Sequence, residues 1–350
     1  MEAPAMPAGM PVRTRVLARV AGLSLVLIGC AADRHALPEH EPSVDPTVSP
    51  EGDEPDAEGE REAFTPPTIT FPGPDSHDAL RLSELGMYTD IAAKRLAPDL
   101  IAFTPRYPLW SDGADKQRWL RLPAGTTIDN RDADHWRFPV GSVLFKEFSR
   151  AGKRLETRVI ARLGEDPDDT FMGTFLWQED ERDALLVRDG MANVRGTDHD
   201  LPTPTNCLTC HNGEPGRILG FSALQLAEPK AELFAVPPIA YELPGTAEAR
   251  AALGYLHANC AHCHNPGGSA RRYTPMSLRI SVDEREPGKT TLERETIGVP
   301  LYSFTSSDLS LRVVSGEPTQ SGLLLRMARR GDDYAMPTLG TKHVDDAGVA

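Results

Sequence analysis

Basic residues are in deficit in this chain: 37 Lys and Arg stand against 51 Asp and Glu, a formal net charge of −14. That balance argues against nucleic acid as a partner. It suits a soluble or surface-tethered protein whose partners carry basic patches. Long apolar runs are also missing, and the apolar stretch from Val20 to Ile28 is too short to span a bilayer. Cysteine is scarce, with five in 350 residues, and four of the five fall in two short strings that form the only internal repeat. What is present is an apolar fraction of 40%, enough for a packed core, with 31 Pro and 29 Gly that point to many loops and an extended tail. The length accommodates two domains, or one domain plus tails.

The two strings are Cys207-Leu208-Thr209-Cys210-His211 and Cys260-Ala261-His262-Cys263-His264. Composition alone gives about 0.002 copies of Cys-x-x-Cys-His in such a chain. The pattern is the attachment signature of a covalently bound c-type haem. Thiols at this spacing on a helical turn match the two vinyl groups with which they form thioethers, and the next histidine offers the iron its proximal nitrogen. The expected cofactors are two covalently attached haems c, held by Cys207, Cys210 and His211 and by Cys260, Cys263 and His264, with His211 and His264 on iron. A four-cysteine zinc site, a thioredoxin-like dithiol or a disulfide would use the same thiols but leave the adjoining histidine unexplained twice.

The fifth cysteine ends Leu27-Ile28-Gly29-Cys30, behind Arg13, Arg15, Arg19 and the apolar run. Basic n-region, short h-region and a small residue before the cut make residues 1–29 a secretion signal. Cys30 resembles the lipidated cysteine of bacterial lipoproteins, with an ordinary cleaved signal as the plain alternative. A spare thiol is out of place in an oxidising compartment, which favours lipidation. Ala31 and Ala32 follow, with no Asp to retain the protein at the inner membrane. The expected location is therefore the envelope, lipid-anchored, with the outer membrane favoured. Haem attachment takes place after export, so the two signals agree. Residues 30–75 read as a disordered tether: segment 39–62 carries ten acids against the single base Arg61. Such a segment cannot bury enough surface to offset its ordering entropy.

Residues 76–200 carry a β pattern after a first stretch of short helix and loop whose apolar face is Leu80, Leu82, Leu85 and Met87. Leu155, Thr157, Val159, Ala161 and Leu163 alternate with Glu156, Arg158, Ile160 and Arg162. Val143–Phe148, Thr170–Trp177 and Leu185–Val187 are further strand candidates. Turn signals at Pro123-Ala124-Gly125, Pro139-Val140-Gly141, Asp166-Pro167-Asp168 and Asp189-Gly190 separate them, a spacing that predicts an antiparallel sandwich-like domain. Residues 201–350 are Pro-punctuated loop plus helix, with helices expected over Thr246–Ala258 and Leu323–Arg329.

Methionine and histidine supply the candidate sixth iron ligands. Methionine sulfur raises a haem potential, a second histidine lowers it, and an open position allows ligand chemistry. For the second haem Met336 is favoured: it follows the motif, sits in a loop, and Pro337 stiffens it. A packed loop methionine is the plain alternative, and Met276 is nearer but falls in an expected strand or turn. Between His211 and Cys260 there is no methionine, and His257 is the only histidine. The first haem is then completed by His257, by an upstream residue (Met191, His199, Met172 or His135), by a residue far downstream, or by nothing. His135 with Trp110, Trp119 and Trp136 is read as structural rather than as a copper or substrate site.

Strings outside the motifs carry a resemblance. Tyr107-Pro108-Leu109-Trp110-Ser111-Asp112-Gly113-Ala114-Asp115-Lys116, Leu122-Pro123-Ala124-Gly125 and Phe138-Pro139-Val140-Gly141-Ser142-Val143-Leu144 resemble the N-terminal part of a family of exported bacterial di-haem c-type cytochrome proteins. In that family a β-rich domain precedes two closely spaced haem motifs. Asn259-Cys260-Ala261-His262-Cys263-His264-Asn265-Pro266 and Ser315-Gly316-Glu317-Pro318 through Met336-Pro337 are similar to it as well, and the latter resembles the axial-methionine segment of class I cytochromes c. The resemblance spans residues 80–350. The expected fold class is α+β multidomain: an antiparallel β-sandwich-like domain over 76–200, then a mainly α-helical, cytochrome c-like di-haem region over 201–350. The expected function is electron transfer between redox proteins as donor and acceptor. The alternatives are a peroxidase-like di-haem oxidoreductase with an open or weakly ligated first haem, and a surface binding module with accessory haems. Cytochrome c domains end in a helix packed on the one that enters the motif; here Val344–Ala350 resembles only its first turn, so the sequence reads as a fragment.

Overall fold

Strand pairing in sequence order builds the centre of the molecule. The computed structural model describes residues 64–73, 79–302 and 308–350. The expected signal peptide, Cys30 and most of the expected tether lie outside the described residues. Strands β3 (Ile101–Ala102), β4 (Asp115–Arg121), β5 (Val143–Arg150), β6 (Lys153–Arg162), β7 (Thr170–Trp177) and β8 (Ala184–Val187) form one six-stranded antiparallel meander. β1 (Tyr88–Asp90) and β2 (Arg95–Leu96) pair as a small separate ribbon, so β1 and β2 precede the meander in the chain.

The alternation of side chains gives the meander two unlike faces. On one, Trp119 stands opposite Phe145, and Phe145 opposite Val159. With Phe175 and Trp177 they form an apolar layer covered by Leu82, Leu85 and Met87. Phe145 and Phe175 are fully buried, and each such side chain contributes about 2–3 kcal/mol relative to exposure. Ile69 and Phe71, at the end of the expected tether, also pack here, with the Phe71 ring 4.7 Å from that of Phe171. The other face carries a row Leu120–Leu144–Ile160–Met172 and, two residues along, a row Arg118–Lys146–Arg158–Thr174. Ile218, Phe221, Leu224, Leu253 and Leu278 from beyond residue 201 join Leu120 and Leu144 in one cluster on this side.

The expected fold class is corrected in both halves. No second sheet of comparable size faces the meander among the described residues, so the β part is not a sandwich: chain segments with little regular structure cover both faces. Nor is the region from 201 mainly α-helical. It holds α1 (Pro204–His211), α2 (Ala247–Cys260), α3 (Thr291–Thr296), α4 (Gly322–Met327) and α5 (Asp346–Val349), with only α2 longer than eight residues. The physical reason is proline: Pro229, Pro237, Pro238, Pro266, Pro275, Pro287 and Pro300 break any helical run between and after these elements. Isolated bridges such as Ile297 to Val313 and Leu311 to Ser321 tie the loops instead. No helix among the described residues is long and apolar enough to cross a membrane.

The β5–β6 hairpin closes through Ala151 and Gly152, both at positive φ (49° and 75°). That turn matches the right-handed twist of the flanking strands, but it holds an alanine in a region that costs about 1–2 kcal/mol for an L side chain. Ala151→Gly is expected to stabilise the protein by about 0.5–1 kcal/mol after the extra chain entropy of glycine is subtracted. Denaturant midpoints of the two proteins measure it.

Candidate functional site

Helix α1 starts where Thr203 caps it. The Thr203 hydroxyl accepts the Asn206 N–H at 3.2 Å and Asn206 Oδ1 accepts the Thr203 N–H at 3.1 Å, a reciprocal cap with Pro204 at the first helical position. The cap sets the phase of the helix, and Cys207 and Cys210, three apart, share one side of it. His211 ends the helix. Its Nδ1–H donates to the Arg217 carbonyl at 2.6 Å, which leaves Nε2 as the lone-pair nitrogen. Burial pushes its imidazolium down to about 4, so the ring is neutral at pH 7.

Helix α2 delivers the second motif. Thr246 caps its start, accepting the Ala249 N–H at 3.3 Å. Asn259, one residue before Cys260, locks its end. Its Oδ1 accepts the Trp110 N–H at 2.7 Å, and its Nδ2 donates to the carbonyls of Tyr255 at 3.0 Å and Pro108 at 3.3 Å. The Tyr107–Trp110 string is thereby tied to the second motif. The turn continues with the Cys263 and His264 N–H groups donating to the Cys260 carbonyl at 3.1 and 2.9 Å. Burial pushes the His264 imidazolium down to about 4, and its Nδ1 is a buried atom without a hydrogen-bond partner.

Two cavities open on the motifs. The first, about 790 Å³, is walled by Cys207, Cys210 and His211 on one side and by the mixed face of the meander on the other. The second, about 1280 Å³, is walled by Cys260, Cys263 and His264 together with Met276, Met327 and Met336. The first falls within the usual range of ligand sites, and the second is larger than that range. They share a wall that includes Trp110, Cys210, Asn259 and His262. Within it Cys210 Sγ and Cys263 Sγ stand 3.9 Å apart, and Cys210, His262 and Cys263 bring donor atoms within 4.8 Å of one another. As free thiols the pair shares a proton: the hydrogen bond between them raises Cys210 and lowers Cys263.

The sequence candidates for the first cavity fall in different situations. His199 is buried, its ring 5.5 Å from that of Phe148, and its Nε2 lies 2.7 Å from Glu156 Oε1. A carboxylate accepts, so Nε2 carries the proton and Nδ1 stays free, the carboxylate–histidine arrangement that orients metal ligands. His257 has the same tautomer but an engaged Nδ1: that atom accepts the Ile280 N–H at 3.1 Å, which leaves the proton on Nε2. Met172 stands in the β7 wall, and Met191 also lines the cavity but is 47% exposed. His135 is outside both walls, bonded to Glu214 at 2.8 Å. Met336 and Met276 both line the second cavity. Sequence reading missed three groups. His262, between the cysteines, was legible as a third donor. Met327 was visible only as a helix residue, and the cations of the meander were hidden by their place on a face read as polar.

The residues present fit covalently attached haem. Two thiols and one neutral imidazole serve each cavity, His211 has its Nδ1–H held by a carbonyl, and His264 has an orphaned ring nitrogen. A metal ion on Cys210, Cys263 and His262 would use three donors and leave Cys207 and Cys260 idle. No protein-family model, curated protein or solved structure matches the chain.

Two outcomes follow from this geometry. Asn259→Ala strands the Trp110 N–H and is expected to cost about 1–3 kcal/mol of unfolding free energy, read by chemical denaturation. Glu156 is fully buried between Arg158, at 2.6 Å, and His199. Burial raises its carboxyl, but Arg158 and the His199 bond outweigh that and hold it below the ordinary range. A depressed acid stabilises the fold above its unfolded value, about 4.3, and loses that contribution as pH falls through the lower folded value. Glu156→Gln is expected to cost about 3–5 kcal/mol at neutral pH and to flatten this part of the acid limb in a stability–pH series.

Proposed function

We propose that this chain is an exported di-haem c-type cytochrome that carries electrons between redox proteins and is held to the envelope membrane by a lipid on Cys30. One observation carries the reading: the two Cys-x-x-Cys-His motifs wall two separate cavities that meet at Cys210 and Cys263, 3.9 Å apart. Cys207 and Cys210 would hold the first haem and Cys260 and Cys263 the second, with His211 and His264 as the proximal nitrogens. Bound haem supplies an iron that accepts and releases one electron. The chain supplies neutral imidazoles, a shared wall between the two attachment points, and unequal surroundings. Met336, Met276 and Met327 in the second wall offer thioether sulfur. His199 and Met172 are the best-placed donors of the first, and His257 presents a protonated Nε2. Unequal ligands set a potential step between the sites. The net charge of −14 suits partners with basic docking faces, and the Arg13–Cys30 pattern supports export and lipidation.

A second reading is an oxidoreductase whose first iron keeps an open position. It is favoured by the exposure of Met191, 47%, and by the tautomer of His257.

Protein made in an exporting host with a haem-attachment system is expected to carry two haems by intact mass and by pyridine haemochrome. Cys260→Ser with Cys263→Ser should leave one. Stoichiometric zinc and four alkylatable motif thiols would sink the proposal. Carbon monoxide should leave the reduced spectrum unchanged for the carrier and bind one haem for the oxidoreductase.

A further inference from the structure

The mixed face of the meander has an unbalanced charge pattern. Arg118, Lys146 and Arg158 are direct cross-strand neighbours on β4, β5 and β6, and all three line the first cavity. Like charges placed directly opposite on neighbouring strands destabilise a sheet, so an uncompensated row of three is a costly arrangement. One carboxylate answers it: Glu156 takes Arg158 with bonds of 2.6 and 3.0 Å, and it is also bonded to His199. No described carboxylate bonds to Arg118 or Lys146, and neither side chain has a hydrogen-bond partner among the described residues. Among the described residues the Lys146 ammonium lies over the Phe148 ring, 4.8 Å away, and feels Glu156 without bonding to it. Burial, with Arg118 and Arg158 adding repulsion, pushes Lys146 well below its ordinary range, and burial pushes Arg118 down to about 10.

The other acids around the cavity are engaged elsewhere. Asp134 accepts from Ser281 Oγ at 2.5 Å and Val282 N–H at 3.0 Å. Glu214 holds His135 and Arg279, each at 2.8 Å, and Asp200 holds Lys342 at 2.6 Å. Asp112 accepts the backbone N–H groups of Lys342 and His343, both at 2.9 Å. Asp189 is exposed.

Two residues along the same strands lies the apolar row Leu144–Ile160–Met172, which lines the same cavity. The wall is therefore apolar over one band and cationic over the next, roughly 7 Å on at strand spacing. We infer that Arg118 and Lys146 form a carboxylate-binding site on the wall of the first cavity, and that its ligand is amphipathic, with an apolar body on Leu144, Ile160 and Met172 and its carboxylate on the two cations. Guanidinium matches a planar carboxylate with two parallel bonds, and a dry cavity strengthens such a pair. Two sources present this chemistry: the propionate side chains of a haem attached at Cys207 and Cys210, which rests on the proposed function, and a diffusible apolar carboxylate, which does not.

The test uses haem-loaded protein, with Arg118→Gln, Lys146→Met and the double variant, and Thr174→Val at the end of the same row as control. Loading is first checked by mass. If the propionates are the ligand, the double variant shifts their carboxylate vibrational bands and lowers the midpoint potential of one haem. The other haem and the Thr174→Val protein stay unchanged, and octanoate leaves the wild type untouched. If the ligand is diffusible, octanoate gives a saturable spectral change in the wild type, and the double variant binds it at least tenfold more weakly. Should the protein load no haem, octanoate binding by calorimetry replaces the optical arm. Unchanged bands and potentials together with no octanoate binding overturn the inference. The variants remove opposed cations, so they are expected to fold at least as well as the parent, and an unfolding midpoint checks this.

Discussion

The two motif turns can meet because nothing stands between their backbones. A Cβ on Gly213 would sit 2.3 Å from the His262 carbonyl oxygen, and one on Gly268 would sit 2.1 Å from the Cys263 carbonyl oxygen. Atoms do not approach that closely, so a larger residue at Gly213 would force the loop after the first motif away from the second, and one at Gly268 would distort the second motif's own turn. Everything distinctive about the site rests on that approach: the shared cavity wall, the sulfur pair across it, and the His262 ring beside both. Asn265 holds the second turn in shape, with Nδ2 donating to the Ala261 carbonyl at 2.7 Å.

The two cavities are unlike in what surrounds them. The second is built from loops and short helices of the C-terminal part and is rich in thioether sulfur. The first is half sheet, so its wall is positioned by a hydrogen-bonded ladder and carries charge. A ladder fixes side chains more rigidly than a loop does, and this suits the first cavity to holding polar groups at set positions.

Much of the local structure was legible. The strand over Thr170–Trp177 and the helix that runs into Cys260 follow from alternation and from a Thr cap, both short-range effects. The motif residues were legible because their spacing is itself the chemistry. What could not be read was which face of a period-two strand is dry. Glu156 and Arg158 look like a solvated face in sequence, yet Glu156 is fully buried. Alternation says that two faces differ, not which one meets water. The same limit misjudged the sandwich, since apolar residues on both sides of a strand demand cover but do not say whether a sheet or a loop provides it. Expecting helices around the haem motifs underweighted the prolines that break them.

The first cavity draws its walls from Phe103 to Lys342, and its last contributor, Pro337–Lys342, is fastened across it by Lys342 to Asp200 and Asn193. The enclosure is thus finished by a segment far downstream of Cys207 and Cys210. Enclosure of the first motif is therefore a property of the folded chain as a whole, and not of the segment that carries the motif.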